Sequence, residues 1–546
     1  MTRALRRVYS WLFLAALFFP VRPARAQSAP ASRKSPPSLE ERIAAITGRP
    51  EFRHSHFGIE FFSLDDGSVV YAENPQKLFV PASTTKLLTL GTALELLGAD
   101  YRFHTRVYHT GTLGSDGTLT GDVILVASGD PNLSNRIQSD GSLAFENHDH
   151  AYGGSPDTRA VPGDPLAVIR ELAGQIARKG VRLIRGRVLV DISLYPEGTR
   201  EGGTGVVVSP IIVNDNVIDV TLAPGAAEGA PASLSASPAT TYAAFINLVK
   251  TGPAGSRMDL DIPTDVANPD GTHVVTVTGN MPVGTPPILF AYAVPQPSRF
   301  AEITLREALA GLSVSVEPPA GAQPPDFKLL AASYTDQRLL AEHVSPPFSE
   351  EVKVTLKVSQ NLHASMMPYL LSAVRGAADS APQPGFDAEH AFLTRAGLDL
   401  TGAMQSDGAG GLAEFTPDFM VHFLTYMASR PDYPVYLHAL PILGRDGTLA
   451  RIQTQSPAAG HVFAKTGTYV NSDALNRAQL VTGKGLAGYI TTADGRHLVF
   501  AAYFNNVAVP AGASGVEGVG QALGEIAAAV YGTTAQRAEV GAPGRQ

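Results

Sequence analysis

Apolar and polar positions along this chain follow two different periods, and the period changes with position. Near the start, residues 57–64 and 68–72 read as two strands that meet at Asp66-Gly67, a pair suited to a tight hairpin turn. Ahead of them, Ser38 and Glu41 form a capping box for a short helix that Gly48 ends. Behind them, after an apolar run at 78–80, Leu87, Leu90, Leu94 and Leu97 recur on one face of a helix that stops at Gly98.

From about 99 to 296 the pattern shifts. "GDVILVASGDP", "GRVLVDISLYP", "NVIDVTLAPG" and "THVVTVTGNMP" are short β-forming runs set between Gly, Pro, Asp and Ser clusters. One helix, at 165–179, interrupts them. Helical spacing returns at 299–310 and prevails to about 430. A second Asp-Gly hairpin turns at Asp494-Gly495, and Val516, Val519, Leu523, Ile526 and Val530 stripe a final helix. Both ends therefore offer strands and helices for one shared α/β domain, with the middle inserted into it. The expected division is one α/β domain from 38–98 and 297–532, an accessory β-rich insert of two units at 99–296, and a flexible tail at 533–546.

Composition narrows the class. The 546 residues exceed one ordinary domain. With 44% hydrophobic and 17% charged residues, the chain reads as globular. A net charge of -8 argues against a nucleic-acid partner. The absence of cysteine excludes disulfides, thiolate metal sites and a lipidated-cysteine anchor. Residues 1–26 read as a signal peptide: Arg3, Arg6 and Arg7 precede a short apolar stretch at 8–19, and "ARA" at 24–26 supplies the small residues a signal peptidase reads. Residues 27–37, "QSAPASRKSPP", read as a linker. Cleavage removes five arginines and no acids, leaving a more acidic chain unsuited to an anionic membrane surface. The expectation is an exported, periplasmic protein with no transmembrane anchor after cleavage.

Against this background, "PASTTKLL" (81–88) places Ser83 three residues before Lys86, side by side at helical spacing. The simple reading is a helix cap followed by a solvated lysine. The chemical reading is a nucleophile and its base, since a lysine whose pKa is lowered by burial or nearby cations can take a serine proton. Two later stretches favour the chemical reading. "KVSQNLHA" contains Ser359, Gln360 and Asn361, an S-x-N between helical segments, and "HVFAKTGTYV" contains Lys465, Thr466 and Gly467 on a strand-like run. The order S-x-x-K, S-x-N, K-T-G is that of penicillin-recognising serine enzymes.

The long interval between Lys86 and Ser359 leaves no match to the compact class A β-lactamases. With a β-rich insertion there, the chain resembles the type-4, class C low-molecular-mass penicillin-binding proteins, D-Ala-D-Ala carboxypeptidases/endopeptidases of peptidase family S13. "SGDPNLS" (128–134), "LPILGRDGTL" (440–449) and "LAGYITTADGRHLVF" (486–500) are similar as well. The resemblance implies an antiparallel sheet flanked by helices, a helical subdomain and inserted β-rich domains. It also implies cleavage of peptidoglycan stem peptides through an acyl-enzyme, with β-lactams as covalent inhibitors and no cofactor. On that resemblance Ser83 is the nucleophile, Lys86 its base and Ser359 a proton relay. Asn361 binds the substrate amide. Lys465, Thr466 and Thr468 bind its carboxylate, Gly467 lets a substrate strand approach, and the N–H groups of Ser83 and Thr468 form the oxyanion hole. The alternatives are a β-lactam-hydrolysing or esterase relative, and a non-catalytic wall-binding protein.

The chain departs from relatives in places. "DGAGGLAE" (407–414) has Ala409 where relatives carry serine and lacks their Ser-Arg pair. "YPEGTREGGTGVVVSP" (195–210) has no tryptophan and no clear acidic partner. Those regions bind the diaminopimelate side chain in the family, so a weaker preference for it is expected here. Extra residues at about 469–484 read as a loop beside the cleft. "HDH" (148–150) has metal-ligand types but reads more simply as a solvated loop, "HSH" (54–56) as surface, and "SGDP" (128–131) as a structural turn. Asp407 is expected to shape the cleft through a turn, without a catalytic role.

Overall fold

A computed structural model describes residues 37–321, 323–376, 381–510 and 513–533. The signal peptide, the linker up to residue 36 and the tail from 534 lie outside the described residues.

The two Asp-Gly hairpins form and meet. The strands Val69–Glu73, His56–Ser63, His497–Pro510, Ala478–Thr491 and Val462–Asp473 make one antiparallel sheet in that order. Its middle strand reads "HLVFAAYFNN" because both faces are covered. Leu498, Phe500, Ala502 and Phe504 face a core shared with the helices Leu39–Thr47 and Ala513–Tyr531. Val499, Ala501 and Tyr503 face the other way, into a core shared with the helices Thr85–Leu97, Phe348–Val358, Asn361–Val374 and Pro417–Ala428. The predicted stripe of the final helix packs as expected, with Val519, Leu523, Ile526 and Val530 buried.

Two expectations change. The helix Thr85–Leu97 is not half-buried along a leucine stripe: residues 85–94 are all buried, and Leu97 is only half-buried. A helix buried all round must give its polar side chains partners. Accordingly Thr85 donates to the carbonyl of Ala82 at 2.8 Å, Thr89 to that of Gly408 at 2.8 Å and Thr92 to Glu389 at 3.1 Å. Second, residues 469–484 are not a loop. The strands Val462–Asp473 and Ala478–Thr491 stay paired out to Asp473 and Ala478, so the added residues lengthen a hairpin.

The β-rich middle folds around its own core, built from residues such as Val107, Leu125, Ile184, Ile218 and Val275. The pattern places its end at 296. Yet Phe300 and Leu305 of the helix Pro297–Gly311, and Leu340 of the strand Leu339–Val344, pack into that same core. The latter strand pairs with His104–His109. Among the described residues no helix is long and apolar enough to cross a membrane.

Leu90 is fully buried on the Thr85–Leu97 helix. Leu90→Ala is expected to lower unfolding stability by about 2–5 kcal/mol through the lost transfer term and the cavity left behind, measured by denaturant titration. A loss near zero would show that this helix is not part of a packed core.

Candidate active site

Ser83 sits in a tight turn, Ala82–Thr84, that runs straight into the Thr85–Leu97 helix. Ala82 has φ of 47°, a left-handed conformation that non-glycine residues hold only when their surroundings enforce it. Here two glycines permit the crowding. A Cβ on Gly467 would lie 2.2 Å from the carbonyl oxygen of Pro81, and one on Gly410 would lie 2.1 Å from that of Ala82. Gly467 is therefore required by the close approach of the Val462–Asp473 strand to the serine turn, a reason the sequence reading did not supply. That strand is the sheet's edge.

The three motifs converge. Lys86 is fully buried, and its Nζ lies 2.8 Å from Ser83 Oγ, 2.6 Å from Asn361 Oδ1 and 3.1 Å from the Ala409 carbonyl oxygen. Lys465, also fully buried, donates to Ser359 Oγ at 2.8 Å and to its neighbour's carbonyl, that of Thr466, at 2.8 Å. Thr466 donates to Thr448 Oγ1 at 2.7 Å, and the exposed Thr468 accepts from Lys484 at 2.7 Å. Ser83, Asn361 and Thr468 open onto a cleft of about 390 Å³, together with Glu201, Asp407 and Tyr469.

The electrostatics suit proton transfer. Burial lowers the Lys86 pKa to about 7, despite the opposing pull of the Glu201 and Asp407 carboxylates. A neutral amine has two N–H bonds and one lone pair. Asn361 Oδ1 and the Ala409 carbonyl, which can only accept, take the two N–H bonds, so the lone pair is left facing the Ser83 hydroxyl. Burial also pushes Lys465 well down, and the charges of Lys86 and Lys484 add to it.

Several participants were not visible in the sequence. The 195–210 stretch does contain an acidic residue of the cleft: Glu201 accepts from Asn361 Nδ2 at 3.1 Å. Its oxygens also accept from the N–H groups of Gly203 and Thr204, each at 2.6 Å, and from the Thr204 hydroxyl at 2.7 Å. Asp407 acts as expected of a turn-former. It accepts from the backbone N–H groups of Ala409, Gly410, Gly411 and Leu412, and so aims the Ala409 carbonyl at Lys86. Of the 148–150 stretch, His148 is exposed as a solvated loop requires, but its two neighbours are not. Asp149 and His150 are buried beside Asp215, but Arg136 already occupies that cluster, 2.5 Å from Asp149 and 2.6 Å from Asp215. A guanidinium there does the neutralising that a metal ion would otherwise do.

The sequence profile of the D-Ala-D-Ala carboxypeptidase 3 (S13) family matches residues 39–525. A D-alanyl-D-alanine carboxypeptidase from Actinomadura sp. (strain R39) is 29% identical over 461 residues, 80% of this chain and 78% of that protein. A penicillin-sensitive carboxypeptidase A from Dictyostelium discoideum is 21% identical, over 76% of each chain. The fold is that of penicillin-binding protein 4 from Haemophilus influenzae, with a TM-score of 0.67 and 20% identity over 90% of this chain and 98% of that one.

Because only neutral Lys86 can accept a proton, the rate at which an acyl donor modifies Ser83 is expected to rise with pH through about 7 and then level off. Lys86→Ala should remove that limb and slow acylation about a hundred- to ten-thousandfold, with the fold retained by circular dichroism. A variant that still acylates at wild-type speed would make Lys86 a bystander.

Proposed function

The chain belongs to the D-Ala-D-Ala carboxypeptidase 3 (S13) family, and from that premise we propose that it is a serine-type D-alanyl-D-alanine carboxypeptidase that also cleaves peptidoglycan cross-links. The observation that carries this reading is the buried Lys86 amine held between Asn361 Oδ1 and the Ala409 carbonyl oxygen, 2.8 Å from the Ser83 hydroxyl.

In this reading Lys86 takes the Ser83 proton as Oγ bonds to the carbonyl carbon of the penultimate D-Ala. The carbonyl electron pair moves to oxygen, which the N–H groups of Ser83 and Thr468 receive. The backbone nitrogen of Ser83 lies close to the edge strand, since a Cβ at Gly467 would come 3.2 Å from it. Collapse of the intermediate breaks the C–N bond, and the proton held by Lys86 passes through Ser359 to the departing amine. Water then attacks the acyl-enzyme by the same groups in reverse. Lys465, Thr466 and Thr468 meet the terminal carboxylate, and its negative charge restores the proton that burial disfavours on Lys465. Both ends of the chain build this catalytic unit, with the β-rich insert between them. A periplasmic location fits such a substrate, and the signal-like pattern at residues 1–26 supports it.

The test is mass spectrometry after incubation with penicillin and with an acyl-D-Ala-D-Ala peptide. Penicillin should add to the tryptic peptide that contains Ser83, and free D-Ala should be released from the peptide. An adduct elsewhere, or none, would sink the mechanism.

Side-chain selectivity follows from Glu201. Its oxygens are already engaged by four donors, so Glu201 offers no free lone pair to the amine of a diaminopimelate side chain. Turnover of a substrate bearing that side chain should stay within about tenfold of a minimal acyl-D-Ala-D-Ala peptide. A preference of several hundredfold, about 3 kcal/mol or more, would mean that other residues form such a pocket.

A further inference from the structure

The Ser359-Gln360-Asn361 turn joins the helices Phe348–Val358 and Asn361–Val374. It carries a backbone strain of its own, since Ser359 has φ of 65°, a region that non-glycine residues enter only under constraint. Within the turn the local help is limited. The Gln360 N–H bonds the Thr355 carbonyl at 3.1 Å, and Gln360 Oε1 accepts from the Leu362 N–H at 3.0 Å.

The remaining restraints come from far away in sequence, and they touch each residue of the triplet in turn. The Tyr152 hydroxyl donates to the Ser359 carbonyl oxygen. The side-chain amide of Gln360 donates to Asp215 Oδ2 at 3.3 Å and reaches Asp149 Oδ1 at 3.5 Å. Glu201 accepts from the side-chain amide of Asn361 at 3.1 Å. The carboxylates are not free to drift. Arg136 bridges Asp149 and Asp215, His150 bonds Asp215 at 2.7 Å and Asp219 at 2.8 Å, and His363 bonds Asp215 at 3.0 Å. Arg136, Asp149, His150 and Asp215 are all buried. Every anchor except His363 lies between residues 136 and 219, inside the β-rich insert.

We infer that the insert is the positioning device of the S-x-N turn: Tyr152, the Asp149–Asp215 pair and Glu201 hold Ser359, Gln360 and Asn361, and through them set where the Ser359 hydroxyl and the Asn361 amide meet the two active-site lysines. None of these anchors touches the reacting atoms. Glu201 takes the NH₂ end of the Asn361 amide, which leaves the oxygen end for Lys86. Tyr152 takes the carbonyl of Ser359, whose hydroxyl receives Lys465. Burial pushes the Tyr152 phenol up, so the hydroxyl remains a donor at any working pH. A shift of the turn by a fraction of an ångström would misplace both acceptors at once, and misplacement near 1 Å costs on the order of a hundredfold in rate.

The inference rests on the proposed roles of Ser359 and Asn361, and the experiment separates the two. Wild-type protein and the variants Tyr152→Phe, Gln360→Met and Glu201→Gln are titrated with penicillin. Burst amplitude counts folded sites, and the saturating rate gives acylation per site. Each variant should acylate about ten- to a hundredfold more slowly per titrated site, with the half-saturating concentration of penicillin little changed. Rates per site equal to wild type overturn the inference, whether or not the amplitude falls, because a merely structural role would lower only the number of sites. Absence of any adduct on Ser83 in the wild type would instead overturn the proposed function itself.

Discussion

Burying the Lys86 amine beside a serine, without stranding it, is the constraint around which this structure is arranged. An unpaired buried amine, charged or neutral, costs several kcal/mol. Two acceptors from distant segments keep that cost down, the Asn361 side chain and the Ala409 carbonyl. Each acceptor needs a support of its own. Asp407 folds the 409–412 backbone around itself, and Glu201 orients the Asn361 amide. Burial then does the chemical work of lowering the Lys86 pKa to about 7. A lysine that would be charged in water thereby loses its strong preference for the proton.

Bringing three segments to one amine crowds the backbone. Ala82 and Ser359 both take left-handed conformations, each at about 1–3 kcal/mol. Glycine is spent at the contacts where a side chain would collide with main chain: Gly467 against Pro81, Gly410 against Ala82 and Gly408 against Ala364. The surrounding core, in which residues 85–94 have no exposed face, supplies the packing that holds these conformations in place.

The same crowding makes the β-rich insert part of the site. It shares no strand with the five-stranded sheet, yet its buried ion cluster abuts the S-x-N turn. A second brace comes from residues 440–449. Lys357, at the end of the helix before the turn, donates to the Leu440 carbonyl at 2.6 Å and to Asp446 at 2.7 Å. Thr448 accepts from Thr466, and the Gly447 N–H bonds Asn147 of the insert at 2.6 Å. One short stretch therefore links the S-x-N helix, the K-T-G strand and the insert.

The amino-acid sequence alone determined what local chemistry can specify. Asp66-Gly67 and Asp494-Gly495 turn their hairpins wherever they are placed, and period-3.6 stripes such as that of residues 516–530 make helices. The three motifs were legible because their residues are neighbours in the chain. The tertiary structure alone decided what depends on pairs remote in sequence. Whether a leucine stripe leaves the opposite face of residues 85–97 in water is settled by what packs there, and the 469–484 residues form strand because a partner lies alongside. Nothing local to Glu201, Tyr152, Asp149 or Asp215 points to the turn they hold, and their meaning comes from Ser359, Gln360 and Asn361, which lie more than a hundred residues later. A hydrogen bond needs atoms within about 3 Å, and no local period or turn signal encodes which distant segments the fold brings that close.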